Sequence, residues 1–454
     1  MGMNRLLLAV LSLSLLPRHG FAQPATEDLE GTVAALQQEV ARLKAAESAP
    51  ERLKELERRI DLLAAEIEKS RTGGAMDVEA PATGEPGLGP AASKVYHRAR
   101  GVSIGGYGEA LYQNFAGKDQ DGAPSHRDDR LDLLRVVLYT GYKWSDTILF
   151  NSEVEYEHAT TGEGAEERGE VSVEQAYLDV RPWKTAGFRT GMVVVPLGFI
   201  NELHEPPVFF GSRRPVVEQR IIPTTWHEVG LGFFGESSAF QWRGYAVAGL
   251  NAAGFTAEGI KEGRQQGSQS LANDIALVGR VDMVRVPGLL LGVSVFTGNS
   301  GQGAQSDGQR IRGRVTLFDA HAQYERRGLQ ARALYVRSTI ADVPRINAAN
   351  GFVGAQSVGS RQYGFYAEAG WDVTSRKGAG RWAVIPFLRH ERLNPQDRVP
   401  TGFEQDPSLD QKIWTAGVSV KPLTGVAFKA DYQWLSNKSK TGTNQLNLAV
   451  GFLF

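Results

Sequence analysis

The sequence predicts an all-β fold, a 16-stranded antiparallel transmembrane β-barrel preceded by a short α-helical coiled coil. Three observations carry this. About sixteen segments alternate apolar and polar residues with period two over about ten to fourteen residues, the length of tilted membrane strands and twice that of ordinary globular ones. The connections between them alternate between short and long, as in barrels with short turns on one rim and long loops on the other. Large aromatics gather at segment ends, where a bilayer has its interfaces.

The predicted strands start near Val102, Leu131, Ile148, Val171, Phe188, Glu228, Phe240, Ile275, Leu289, Val315, Leu329, Arg361, Arg381, Lys412, Val426 and Asn444. In the last, Leu446, Leu448, Val450, Phe452 and Phe454 alternate with Gln445, Asn447, Ala449, Gly451 and Leu453. Short turns are expected at 145–146, 184–186, 237–238, 287, 327–328, 375–380 and 423–425, and longer polar loops at 116–129, 161–169, 201–225, 251–273, 300–313, 341–360, 394–410 and 438–443. Trp144, Trp183, Trp242, Trp371 and Trp382 lie beside short turns, and Trp414 and Trp434 where strands meet long loops. All seven read as membrane-interface aromatics. About sixteen strands enclose more than side chains alone can fill, so the expectation is an aqueous channel.

Upstream, residues 1–22 read as a signal peptide: Arg5 gives a positive start, Leu6 to Leu16 an apolar core, and Gly20-Phe21-Ala22 a small-x-small cleavage site. No later apolar run is long enough for a membrane helix. Residues 23–72 read as a coiled coil, with one seam of Leu29, Val33, Leu36, Val40 and Leu43 and a second of Leu53, Leu56, Ile60, Leu63 and Ile67. The seams are out of phase by one residue, and Ser48, Pro50 and Glu51 at the break form a capping pattern for a new helix. Intermolecular assembly, a helix folded onto its own barrel and an antiparallel hairpin are all open. The Gly/Pro-rich stretch 73–100 reads as a linker, and 101–454 as the barrel. An even strand number puts both ends of the barrel on the short-turn side, with the coiled coil, in the periplasm.

Composition narrows the function. The 454 residues carry 50 Lys plus Arg against 51 Asp plus Glu, a net charge of −1, which argues against a nucleic-acid partner. There is no cysteine, hence no disulfide, thiolate metal site or cysteine nucleophile. His204-Glu205 and His227-Glu228 lack the second histidine of a zinc-protease helix, and Asp119, Asp121, Asp128 and Asp129 fail the EF-hand spacing, so neither metal nor cofactor is expected. His321 between Asp319 and Gln323 has no Gly-x-Ser-x-Gly motif to serve, and no enzyme is expected.

A signal peptide, a coiled coil, sixteen alternating strands and a terminal aromatic strand ending at Phe454 together resemble the phosphate-selective porin O and P family. The likeness is carried most specifically by Ser103-Ile104-Gly105-Gly106-Tyr107-Gly108, Pro196-Leu197-Gly198-Phe199-Ile200-Asn201-Glu202, Pro206-Pro207, Phe209-Phe210-Gly211, Arg213-Arg214-Pro215 and Ile222-Pro223-Thr224-Thr225-Trp226. It implies a homotrimer in the bacterial outer membrane, in contact with the lipid bilayer and lipopolysaccharide. It also implies insertion by the barrel-assembly machinery, with Phe452 and Phe454 as the assembly signal.

The third long connection, 201–225, is the expected constriction, because Pro206, Pro207, Pro215 and Pro223 stiffen it and Val208, Phe209 and Phe210 need a surface to cover. Its charges are Glu202, Glu205, Arg213, Arg214, Glu218 and Arg220; they either set the pore's field or fasten the loop by salt bridges. Strand parity, with greasy positions facing lipid, turns Arg135, Glu153, Glu155, Asp179, Arg189, Arg243, Arg280, Asp282, Asp319, Glu325, Arg332, Glu368, Asp372, Arg389, Lys429 and Asp431 into the lumen. The expected function is passive diffusion of small hydrophilic solutes, with an anion bias or a relation to phosphate. The alternative is a closed structural barrel that tethers the outer membrane to the cell wall or to a periplasmic partner through its coiled coil.

Overall fold

In the computed structural model, the described residues are 84–160, 169–375 and 382–454, with isolated helical positions at Gln38, Arg58 and Asp61. The predicted signal peptide lies outside them, as does the predicted coiled coil apart from those three positions. The chain divides into two compact units, Met1–Gly74 and Ala75–Phe454, and the second contains every barrel strand.

Sixteen strands close into one antiparallel barrel. They are β1 (Gly101–Asp119), β2 (Arg130–Lys143), β3 (Ile148–Glu157), β4 (Val171–Trp183), β5 (Ala186–Val194), β6 (His227–Glu236), β7 (Phe240–Ala248), β8 (Ile275–Met283) and β9 (Leu289–Gly298). After a two-residue hairpin of β10 (Gln305–Ser306) and β11 (Gln309–Arg310) come β12 (Val315–Arg326), β13 (Leu329–Ile340), β14 (Arg361–Trp371), β15 (Ala383–Arg398), β16 (Gln411–Leu423), β17 (Val426–Asn437) and β18 (Thr443–Leu453). Each of the sixteen begins within two residues of the position expected from alternation, because period two over ten residues leaves little freedom of register.

β18 pairs with β1, with Leu453 opposite Tyr107 and Val450 opposite Ala110. The Phe452 and Phe454 rings lie over Gly108 and Gly106, where a Cβ would meet ring carbon at 2.4 and 2.6 Å. At Gly106 the Val137 carbonyl oxygen is closer still, at 2.2 Å, so glycine is required there for the closing strands to nest, whereas at Gly108 a Cβ meets only the end of a ring.

Outward side chains make the apolar belt of a membrane-spanning barrel: Leu231, Phe233 and Leu277 are each more than half exposed. Inside, the expectation that greasy positions face only lipid does not hold. Val278, Phe296, Val315, Leu317, Leu334, Val336 and Tyr366 point inward and join one buried cluster with Val195, Leu197, Phe199, Ile200, Val217, Ile221, Ile222 and Trp226 of the third long connection. Strands covered by lipid outside and by a folded loop inside are apolar on both faces, for the reason that strands of a doubly covered sheet are. Leu250, Phe255, Ile260, Ile311, Val343, Ile346 and Val358, from the next three long loops, extend the same cluster.

The stretch expected as a linker is, over 84–97, packed into the barrel. Leu88, Ala91, Ala92 and Val95 are buried with Tyr107, Val137 and Tyr139. The Asn151 amide donates to the Ala92 carbonyl at 2.9 Å, and Lys143 Nζ to the Tyr96 carbonyl at 3.1 Å. Its small residues read as linker composition, but the same residues fit a short coil into a narrow space.

Candidate functional site: the inward loop and the lumen wall

The third long connection runs from 195 to 226, between β5 and β6, and enters the barrel. A one-turn helix, α1 (Val217–Arg220), sits in its second half. Glu218, on α1, is fully buried and organises the loop from within. Its Oε2 accepts from the Phe199 and Ile200 amides at 2.7 Å each, and its Oε1 from the Tyr366 hydroxyl at 2.5 Å. Burial, with Asp319 adding repulsion, pushes this carboxyl up to about 7 against the pull of those donors. Gly198, at φ +64°, makes the turn beside it, and a Cβ there would meet Glu218 Oε2 at 2.3 Å.

Opposed charges fasten the loop to the wall. Glu202 reaches Arg243 Nε at 2.8 Å and an Arg280 guanidinium nitrogen at 3.2 Å, and Asp282 holds the same two arginines at 3.0 and 2.8 Å. The His321 ring nitrogens lie 2.6 Å from Asp319 and 2.8 Å from Asp282. Both are taken by carboxylates, which leaves neither free to activate a hydroxyl. Glu205 accepts from the Ala91 and Ala92 amides at 3.0 Å each, joining loop to N-terminal segment.

On the far wall, cations grip loop carbonyls. Lys429 Nζ donates to Pro206 at 2.6 Å and Gly211 at 2.9 Å and stands 3.7 Å from the centre of the Phe209 ring. Lys421 donates to the Pro207 carbonyl at 2.7 Å, Arg332 to that of Val208 at 2.8 Å, and Arg389 to that of Arg213 at 3.2 Å. Arg332 and Arg389 also lie 3.8 and 3.7 Å from Glu368. Asp431 accepts from the Ser212 amide at 2.6 Å.

Beside the N-terminal segment, Arg189 pairs with Asp179 at 2.7 Å, and the Tyr96 hydroxyl donates to the same carboxylate at 2.6 Å. On the opposite flank Arg135 pairs with Glu155 at 2.7 Å. There a polar cavity of about 230 Å³ is lined by Arg135, Glu155, Glu157, Glu170, Glu174, Arg214, Thr225, His227, Lys261 and Arg264. Arg214 is buried, its guanidinium 3.3 Å from the His204 carbonyl, while the half-buried Arg220 lies 3.7 Å from Glu258.

Of the positions that parity turned inward, Glu325 and Asp372 lie at the short-turn rim. Glu325 is exposed at a short turn and accepts from Gln330, and Asp372 accepts from the Thr374 amide in another. The seven strand-end tryptophans all face outward, between 36% and 60% exposed, whereas Trp226 is buried inside.

Sequence reasoning set His204 aside, weighing it only as half of a zinc-protease pair, and did not pick out Glu174, Tyr96, Tyr366 or Lys421. Glu174 is the instructive case, because the ladder between β3 and β4 slips there: Glu153 pairs with Gln175 but Val154 with Val173. The bulge reverses parity along β4 and aims the extra residue inward. Its trace in the sequence is that Val171 and Val173 share a face that Leu178 and Val180 take up out of step.

These features define a transmembrane β-barrel of the outer-membrane porin fold, with one long loop folded inward. No family model matches the chain. The chain is 36% identical over 376 residues to an uncharacterised protein of Aquifex aeolicus (strain VF5), an alignment covering 81% of this chain and 83% of that protein, and it belongs to the same family. Among solved structures, OmpF of Salmonella typhi in complex with daunomycin aligns over 78% of this chain and 98% of its own at a TM-score of 0.51 and 10% identity, which shows the shared fold. An anion-selective porin from Comamonas acidovorans aligns over 78% of this chain and 100% of its own, at a TM-score of 0.48 and 11% identity.

Proposed function

We propose that the chain is an outer-membrane porin, a passive channel for small hydrophilic solutes. In this reading it is a homotrimer related to the phosphate-selective porin O and P family, with the seven outward tryptophans as interface anchors and the coiled coil in the periplasm. The supporting observation is a closed sixteen-stranded barrel, apolar outside and charged inside, with a long loop seated in its lumen by opposed charges. Any anion bias in this reading comes from Arg213, Arg214 and Arg220, although Arg214 is itself held by the His204 carbonyl and Arg220 by Glu258; Lys421, Lys429, Arg332 and Arg389 are likewise committed to loop carbonyls. A general diffusion channel with weak selectivity fits such a lumen better than a phosphate filter.

The test is single-channel current from folded protein in a planar bilayer, with reversal potential under a salt gradient and phosphate then titrated in. Current steps in threefold units with a small reversal potential are expected. Block of chloride current by low phosphate would instead assign a phosphate site.

The second reading, a closed barrel acting as a tether, draws on the filled interior. Inward side chains far apart around the barrel, such as Ser103 on β1, Asp179 on β4 and Ser294 on β9, are at most 3% exposed. It predicts a folded barrel without current, and a loosened envelope with unchanged permeability when residues 29–67 are deleted.

A further inference from the structure

We propose that Glu153, Glu174 and His204 bind a divalent transition-metal ion of the zinc class, which pins the inward loop to the barrel wall. The three residues come from β3, β4 and the loop, and one ligand atom of each lies within 4.8 Å of the others. They are 0%, 2% and 3% exposed.

The geometry of the histidine is that of a metal ligand. His204 Nδ1 lies 3.0 Å from the Asn201 carbonyl oxygen, which fixes the proton on that nitrogen and leaves the Nε2 lone pair facing the carboxylates. Nε2 is 3.0 Å from Glu153 Oε1 and 3.8 Å from Glu174 Oε2. Two lone pairs facing each other at such a distance repel unless a cation or a proton stands between them. With metal–ligand bonds of about 2.0–2.1 Å, neighbouring ligand atoms of a tetrahedral zinc site are roughly 3.3 Å apart, so the present spacing needs little adjustment.

A second observation points the same way. Glu153 Oε2 and Glu174 Oε2 are buried and have no hydrogen-bond partner. The orphaned oxygen of Glu174 is the one nearest His204, while its Oε1 takes the Thr225 hydroxyl. Burying carboxylate oxygens without partners is costly, and the arginines nearby are held elsewhere, Arg135 by Glu155, Arg214 by the His204 carbonyl and Arg264 by the Thr225 and Lys261 carbonyls. The bulge at Glu174 turns inward a carboxylate that regular pairing would not place there. Glu174 also lines the polar cavity, which gives an ion a wet approach, and nitrogen and oxygen donors without sulfur suit zinc, nickel or manganese.

The test uses the full mature chain without a histidine tag, folded in detergent and stripped with chelator, and titrates ZnCl₂ by calorimetry. One zinc per chain is expected. His204→Ala and Glu174→Gln should each weaken binding by roughly 100-fold or more, since even outer-shell changes cost about 10–100-fold. Glu258→Gln, on an exposed loop, should leave it unchanged. Heat-modifiable gel mobility identifies variants that fold. X-ray absorption on zinc-loaded wild type, which needs no variant, should show one imidazole in a nitrogen and oxygen shell. Absence of zinc uptake, uptake indifferent to both substitutions, or a shell with no imidazole or with several would overturn the proposal and leave a proton-bridged His–Glu pair.

Discussion

Lys429 is an amine inside a barrel wall, and its surroundings explain why a lysine is tolerated there. Two loop carbonyls and the Phe209 ring replace its water. Lys429→Met keeps the length but strands the carbonyls of Pro206 and Gly211. The barrel should lose on the order of 2–6 kcal/mol in urea unfolding followed by tryptophan fluorescence, two unsatisfied acceptors at about 1–3 kcal/mol each. Glu202 poses the complementary case, because Glu202→Gln leaves Arg243 and Arg280 with only Asp282 between them. The expected result is a reversal potential shifted toward anions and a destabilisation of roughly 3 kcal/mol, at the low end for breaking a buried ion pair. Glu218 titrates in the opposite sense from a surface carboxylate. Its pKa is raised to about 7 in the folded protein, so its contribution is fully present below the ordinary carboxylate value of about 4.5 and is lost as pH rises through 7. Tyr366, Asp319 and the Phe199 and Ile200 amides are the groups that face it. Protease nicking of the loop should therefore quicken between pH 5 and pH 8, and Glu218→Gln should flatten that profile.

In the porin reading proposed above, the element expected to set the conductance is not a strand. Residues 84–97 lie at the short-turn end of the lumen, held by Tyr96 on Asp179, by Asn151 on Ala92 and by Glu205 on two amides. A chain lacking residues 23–97 should still close its barrel, because the deletion removes no barrel strand, and should carry larger unitary current than the full chain. A chain lacking only 23–72 should match the full chain. Equal currents from all three would mean that the segment does not limit flow. None of this was legible from composition: Gly, Pro and Ala mark a linker and a tightly fitted coil equally well, and only a cavity of the right width separates the two. The inward loop was more readable, since four prolines around an apolar patch leave few other places for it to go.

At the scale of the whole molecule the barrel sits between two solvents, and its outer face can be probed directly. Leu231, in the middle of β6 and 61% exposed, faces the hydrocarbon in this reading. Leu231→Lys should cost about 2–4 kcal/mol in a bilayer, as lipid-facing lysines near the midplane do. In a soluble all-β protein the same change at an exposed site would fall within about 0.5 kcal/mol, so unfolding in vesicles tells the two apart.

The sequence by itself determined the strand count, the strand boundaries, the alternation of short and long connections and the inward direction of most lumen charges. Each of these comes from period two under a one-sided solvent, a local rule repeated sixteen times. The tertiary structure alone decided what those charges meet. Glu202 finds Arg243 and Arg280, and His204 finds Glu153 and Glu174 across about fifty and thirty positions of chain, where no local period reaches. It also decided that the lumen holds an apolar core, because lipid on one side and a folded loop on the other both exclude water from the same strands. The bulge at Glu174 joins the two levels: one extra residue in a ladder breaks the local rule, and the side chain it releases points into the site.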